Sequence, residues 1–363
     1  MPPTAPRPEV LPDAMKKELT MNTPPFPALR RRFLRVAGTT AAVWGLGLGR
    51  AQAQHAAAKD APGVPALAQL RIGYQKSAVN LVVLKQQGVL EKRFPGAKVS
   101  WSEFPAGPQL LEALSVGSLE FGLTGDSPPV FAQAAGKDLL YVAAEPPKPD
   151  SSAILVLRDS PLQTLADLKG KKIALQKGSS AHYLLVRAVE EAGLQWRDIQ
   201  PIYLAPADAR AAFERKSVDA WAIWDPFYAA VELDIQPRAL VTGKSLSSNN
   251  SFYLASRAFA THNGLALAVL LQELSSADAF VQKNRKQAIR LISDFSGLDA
   301  GVVSLFVQRR PASPVAPLNA ATVADQQRVA DAFFKLGLIP RPVQVSQIVW
   351  QADAARLAQL NRP

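Results

Sequence analysis

Lys172–Leu185, KIALQKGSSAHYLL, is the stretch that decides how this chain is read. Ile173, Ala174 and Leu175 form a short apolar strand that runs into Gly178-Ser179-Ser180, after which Tyr183, Leu184, Arg187 and Ala188 recur at helical spacing. A strand that ends on a helix start leaves first-turn N–H groups without an intrahelical acceptor, and the hydroxyls of Ser179 and Ser180 add donors beside them. The stretch can therefore seat an anion. On this stretch alone an ordinary βα connection with a serine cap is the simpler reading, and the rest of the chain has to separate the two.

The same design recurs outward from this point. Leu70–Tyr74 alternates as a strand and ends on Gln75-Lys76-Ser77 before a helix that includes Leu81, Val82 and Leu84. Lys98–Ser102 is a second strand, followed by a helix over Gln109–Leu114 that Gly117 stops. Leu119–Leu123 leads into Thr124-Gly125-Asp126-Ser127-Pro128-Pro129, which starts a helix over Val130–Ala135. A further strand, Leu139–Ala144, meets the stiff connector Pro146–Asp150 before Ala153–Leu157 resumes the rhythm. Beyond the opening stretch, Ile199–Leu204 and Val218–Trp224 are strands, and the latter meets Asp225-Pro226 and a helix carrying Phe227, Tyr228 and Val231. Gly243–Asn250 is a second polar crossover, after which the pattern is mainly helical. Strands alternating with helices predict an α/β fold with ligands beyond the carboxyl ends of the strands. Two crossovers around a central insertion predict two α/β lobes joined by a two-crossover hinge, with 54–147 and 245–363 in lobe I and 148–244 in lobe II.

Composition narrows the chemistry. The chain has 363 residues, 48% hydrophobic and 20% charged, enough for about two domains. With no Cys it has neither disulfides nor a thiolate metal site nor a cysteine nucleophile. His55, His182 and His262 are scattered, so no metal and no cofactor is expected. Of the +11 net charge, the first 53 residues carry +5, from eight Lys and Arg against three Asp and Glu. The remainder, about +6, shows no lysine-arginine run interleaved with aromatics, which argues against nucleic acid and for a small anionic ligand.

Residues 1–53 read as an export leader: Arg30-Arg31-Arg32-Phe33-Leu34-Arg35, an apolar run over Val36–Gly49, and an Ala51-Gln52-Ala53 end after which cleavage is expected. The apolar run is shorter than the roughly 20 residues a spanning helix needs. Arg30-Arg31-x-Phe33-Leu34 has the twin-arginine pattern, with Leu29 where Ser or Thr is usual; the ordinary secretory route is the alternative.

Trp221 and Trp224, three apart in a strand, point to opposite faces, and Trp224 sits at the strand end where a ligand would lie. Tyr228 is one turn into the next helix. Asp126 and Asp225 stand at helix starts, where a carboxylate is stabilised and would repel an anion. Lys76 either meets the ligand or is solvated, and His182 either donates to the anion or caps its helix. No serine is paired in sequence with a His and an acid, and no G-x-S-x-G or paired-carboxylate motif occurs, so no catalytic residue is expected.

With GYQK at 73, EFPAGPQ at 103, TGDSPP at 124, AAEPPKP at 143, QKGSS at 176, PADARAAF at 206 and DAWAIWDPFY at 219, the chain resembles the periplasmic substrate-binding proteins of aliphatic sulfonate ABC transporters. The resemblance covers about Leu70 to Gln351, and Asn80 stands where the family often has Gly. It implies the type II periplasmic-binding-protein fold, binding without catalysis, a periplasmic monomer, and a cognate permease and ATPase as partners. It also implies cleft loops at Gln75 and Lys76, at Gly125, Asp126 and Ser127, at Gly178, Ser179, Ser180 and His182, and at Trp221, Trp224, Asp225 and Tyr228. A binder of taurine, nitrate or a thiamine precursor is the alternative; an enzyme on the same fold, as in thiamine-pyrimidine synthesis, would use a Cys cluster that this chain lacks. A sulfonate suits such loops because it spreads one charge over three acceptor oxygens and never donates.

Overall fold

The computed structural model describes residues 67–351 apart from Ser245; the expected leader and its cleavage site lie outside the described residues. From the amino end come β1 (Gln69–Tyr74), α1 (Val79–Gln87), α2 (Val89–Arg93), β2 (Lys98–Glu103), α3 (Gly107–Ser115), β3 (Phe121–Gly125), α4 (Ser127–Ala134) and β4 (Leu139–Glu145). The chain then crosses to a second sheet, built from β5 (Ser152–Val156), β6 (Lys172–Leu175), α5 (Ser180–Glu191), β7 (Gln200–Tyr203), α6 (Pro206–Glu214), β8 (Ala220–Trp224), α7 (Phe227–Asp234) and β9 (Arg238–Thr242). It returns through 243–250 to β10 (Ser251–Ser256), followed by α8 (Arg257–His262), α9 (Gly264–Lys283), α10 (Arg285–Ser296), α11 (Ala300–Arg309) and α12 (Ala320–Lys335).

The two sheets share one plan. The first has the order β2-β1-β3-β10-β4 and the second β7-β6-β8-β5-β9. In each, the strand delivered by a crossover enters antiparallel at the fourth place: β10 between β3 and β4, and β5 between β8 and β9. The remaining paired strands at the other end are parallel, so their carboxyl ends and the helix starts that follow lie along one edge of each sheet. This is a two-lobe α/β fold.

Each lobe has its own core. Phe121 stacks on Tyr253 at 5.6 Å in the first, and Phe213 meets Trp221 at 5.8 Å in the second. α1 is buried from Val79 to Leu84, because α9 and α10 cover it on the side away from the sheet. α9 is long and apolar enough to cross a membrane by composition, but Leu267, Leu270 and Leu274 spend that apolarity in the first lobe's core. The crossovers are tied to each other: the Lys148 N–H donates to the Ser248 carbonyl at 2.9 Å and the Asn249 amide to the Lys148 carbonyl at 2.9 Å. Gly243 has to be glycine here, since a Cβ would collide with the Pro149 carbonyl.

Three expectations need correction. The chain past Asn250 does not turn helical at once, because β10 comes first and completes the first sheet. β9 is a further strand, at the edge of the second sheet beside β5; it is short, and so is β10, which enters the first sheet from the crossover. The third strand runs over Phe121–Gly125 rather than Leu119–Leu123, because Thr124 and Gly125 pair with Phe252 and Ser251 of β10 and carry the ladder up to the start of α4.

Candidate functional site

Between the lobes lies a cleft cavity of about 60 Å³ on which helix starts from both sides converge. The first lobe brings Gln75 and Ser77 from the link into α1, Gly107 at the start of α3, and Gly125 and Pro128 around the start of α4. The second brings Ser179 and Ser180 at the start of α5, with Trp224 and Asp225 where β8 meets α7. Helix geometry leaves the first-turn N–H groups of α3, α4 and α5 without intrahelical acceptors, so the cleft collects oriented donors and the positive ends of helix dipoles.

The lobes touch across this cleft. A Cβ on Gly125 would collide with the Ser180 hydroxyl, which stands on the opposite lobe. Arg309, at the end of α11, donates to Asp225 Oδ1 at 3.2 Å, pairs with Glu232 on α7, and lies 3.9 Å from the Tyr228 ring centre.

Of the residues singled out in the sequence, Gln75, Gly125, Ser179, Ser180, Trp224 and Asp225 line the cavity. Gln75 is oriented by donating from its amide to the Leu123 carbonyl at 3.1 Å. One serine hydroxyl is less free than the sequence suggested: Ser179 donates to the Gln176 carbonyl at 2.8 Å, whereas the Ser180 hydroxyl lies against Gly125 and stands beside the backbone N–H groups as a donor. The others lie elsewhere. Lys76 donates to the Ser296 carbonyl at 3.0 Å beside the cleft. Ser127 donates to Asp126 at 2.8 Å, both buried under the α4 start, and Asp126 accepts no capping bond from its helix. Asp225 does cap, accepting the Ala229 N–H at 3.0 Å. Trp221 is fully buried against Phe213, on the face opposite Trp224, and Tyr228 is covered by Arg309.

His182 does not line the cleft cavity. Its Nδ1 accepts the Gly178 N–H at 3.2 Å, and the ring is boxed by Phe131 and Phe333 from one side of the interface and Trp196 and Tyr203 from the other. Burial, with the Lys177 charge adding to it, pushes its pKa down to about 3, so it is a neutral packing group.

Two cations that line the cavity are not among the residues singled out in the sequence, although Lys148 lies within the AAEPPKP motif at 143. Lys148 comes from the first crossover and Arg310 from the residue after α11. Both are fixed by Glu145, which accepts from Lys148 Nζ at 3.0 Å and from Arg310 at 2.9 Å, together with Tyr253 at 2.8 Å and Asn80 at 3.2 Å. Burial alone would raise Glu145, but the charges of Arg310 and Lys148 bring it down to about 2. Glu145 and Asp278 thus compensate the two cations, and the oriented amides supply much of the remaining attraction for an anion. The acids at the helix starts are weakened: burial pushes Asp126 up to about 6 and Asp225 up to about 7.

A larger groove, about 760 Å³, runs between α5, α12 and the second crossover. It is walled by the middles of two helices and includes only Asp126 of the candidates, so its size does not make it the anion seat. Among the described residues no three His, Asp or Glu stand together as a metal site would require.

The fold and cleft have known counterparts. The family model described as NMT1/THI5 like matches residues 95–283. The chain is 52% identical over 291 residues, 80% of its length and 91% of the relative's, to the putative aliphatic sulfonates-binding protein of Escherichia coli. It is 33% identical over 290 residues, 78% of its length and 86% of the relative's, to the protein of the same description in Bacillus subtilis. Among solved structures, the alkanesulfonate-binding protein SsuA from Xanthomonas axonopodis pv. citri, bound to MOPS, matches with TM-score 0.77 at 50% identity, covering 79% of this chain and 100% of that one. The two-lobe fold, the shared cleft motifs and identity sustained over most of both chains together place this protein in the aliphatic sulfonates-binding family.

Proposed function

We propose that this chain is the periplasmic substrate-binding component of an ABC importer, that it captures aliphatic sulfonates in the interlobe cleft, and that it delivers them to a permease and ATPase for sulfur acquisition. The observation that carries this reading is the convergence of helix starts from both lobes on one cavity backed by Lys148 and Arg310. Backbone N–H groups suit an anion that stays ionised and accepts at three oxygens, and they need no titrating partner. The relatives' descriptions as sulfonate binders support the substrate class.

In this reading the protein binds without catalysis and works as an exported monomer, by the twin-arginine route in keeping with Arg30-Arg31. The segments 54–147 and 245–363 move as one lobe against 148–244, bending at the two tied crossovers, and the transporter reads the closed state. Gln75, Gly125, Ser179, Ser180 and Trp224 form the seat with Lys148 and Arg310.

A thermal-shift panel on the mature protein tests the substrate class. Linear alkanesulfonates should raise the melting temperature in a concentration-dependent way, since a ligand at 100 times its Kd adds about 2.7 kcal/mol of stability. Sulfate, nitrate and taurine should give smaller shifts. A larger shift with taurine or nitrate than with any alkanesulfonate overturns the assignment.

A further inference from the structure

The anion seat leaves the larger groove between α5 and α12 without a role. At about 760 Å³ the groove falls within the range of small-molecule pockets. It shares no lining residue with the seat, yet the two spaces lie back to back: Gly125 lines the seat and Asp126 the groove, Asn249 the seat and Asn250 the groove. Both lobes wall it, since α12 buries Val329 and Phe333 in the first core while α5 buries Leu184 and Leu185 in the second. The second crossover closes it with Leu246, Ser247 and Ser248. Apolar and charged groups are sorted along its depth. Val186, Val189 and Val329 are buried in its walls, whereas Arg328 and Lys335 stand largely exposed at its mouth, where Lys335 of one lobe comes within 3.9 Å of Glu190 of the other. Arg187 and Arg197 complete a set of four cations, and the opposing carboxylates are fewer. Glu190 is shared between Arg187 and Lys335, Asp325 is held by Asn250 at 2.6 Å and by Arg328 at 2.7 Å, and Asp126 is buried. Arg197 has no carboxylate partner among the described residues.

We infer that this groove is a second binding site, separate from the seat, for an amphipathic organic monoanion, and that its occupant is coupled to capture in the cleft. An acid group at the mouth meets the surplus of cations, and an apolar body fits the buried valine walls; a cation of the same shape meets like charge. The site recognises its ligand by side chains rather than by helix-start amides, and it does not depend on what the seat holds. Coupling follows from the walls. The lobes already touch in this arrangement, Gly125 against Ser180 and Asp225 against Arg309, so a molecule bridging α5 and α12 favours the arrangement in which the seat's own walls meet. By linkage, the groove ligand tightens the cleft ligand and the cleft ligand tightens it by the same factor.

The probe is 1-pyrenebutyrate, a fluorescent carboxylate whose polycyclic body is too large for a seat of about 60 Å³, with 1-pyrenemethylammonium as its cationic counterpart. Fluorescence titration of the mature protein should show saturable binding of the carboxylate and binding of the ammonium weaker by about fivefold or more. Ala332→Trp fills the groove from α12, and Arg197→Glu reverses a charge at an exposed position. Each should weaken pyrenebutyrate by about fivefold or more and leave butanesulfonate, titrated alone, within about twofold. Saturating pyrenebutyrate should tighten butanesulfonate by about threefold or more in calorimetry, and the converse titration should return the same factor. Absence of saturable binding, equal binding of the ammonium, or wild-type binding in both variants would overturn the site, and displacement of the probe by butanesulfonate would do so by placing it in the cleft. A groove that binds the probe without changing the butanesulfonate affinity overturns the coupling. Failure of butanesulfonate to bind the wild type would sink the sulfonate reading instead, with the groove still judged by the probe and the two variants.

Discussion

Asp225 is the residue whose chemistry is least obvious from its neighbours. It lines an anion's cavity, yet it is a carboxylate. Oδ1 is used by the Ala229 N–H and by Arg309, whereas Oδ2 is buried without a partner among the described residues. Burial pushes the group up to about 7 against the opposing pull of Arg309, so at neutral pH a large fraction carries a proton. A sulfonate beside it disfavours the ionised form further, and the acid form has a donor to offer. Ligand binding is therefore linked to proton uptake: affinity should hold below about pH 7 and fall as pH rises above it, by at most tenfold per unit. Asp225→Asn keeps a donor and removes the titration, so its affinity should be level between pH 6 and 9. His182 serves as the control, since its pKa near 3 lies below this window and His182→Gln should leave the pH profile unchanged. A wild-type affinity independent of pH, or a profile that moves with His182 instead, would show that Asp225 does not carry the linkage.

Among elements, α7 and α11 form the clamp. They belong to opposite lobes, and their contact concentrates on Arg309, which reaches Asp225 and Glu232 and covers Tyr228, with its own side chain 14% exposed. Arg309 keeps its pair with Glu232 whether or not Asp225 is protonated, and removing one partner of a partly buried pair costs more than breaking a surface one. Arg309→Met keeps much of the stem and loses the charge, so closure should weaken while each lobe stays folded. The expected change is about tenfold in sulfonate Kd, near 1.4 kcal/mol, carried mainly by faster dissociation in stopped-flow traces. An unchanged dissociation rate would show that the clamp does not hold the closed lobes. The clamp also marks the limit of what could be read along the chain. The βα junctions at Gln75, Gly125, Ser180 and Trp224 were visible because each couples a strand's alternation to a helix start within a few residues. Alternation likewise put Trp221 and Trp224 on opposite faces, as they are. Lys148, Arg309 and Arg310 gave no such local sign. Arg310 meets Glu145 165 positions away, and only the return of the chain through β10 brings α11 to the cleft.

For the molecule as a whole the question is whether binding depends on the lobes coming together, and Gly125 allows it to be asked with two atoms. Gly125 ends β3 outside the left-handed region, so an alanine there suffers no backbone strain. What a Cβ would meet is across the cleft: the Ser180 hydroxyl lies in the space it needs, the next nearest atom is the Ser180 Cβ at 3.2 Å, and the Asn250 carbonyl follows at 3.8 Å. With the lobes apart the first two contacts vanish. Gly125→Ala should therefore melt within a few degrees of the wild type without ligand, yet bind sulfonates at least tenfold more weakly, because a wedge in the hinge-bending path penalises only the closed state. Small-angle scattering should show the wild type contracting on saturation with ligand and the variant contracting less. Adding Ser180→Ala removes the hydroxyl that the wedge strikes, and the remaining 3.2 Å contact can be relieved by a shift of a few tenths of an ångström. The double variant should recover contraction in part, although the loss of the Ser180 hydroxyl from the cavity wall keeps its affinity below the wild type's. Full contraction and wild-type affinity in Gly125→Ala alone would mean that the lobes need not meet at this point, and that capture rests on the seat's amides without the closure that both lobes' contacts describe.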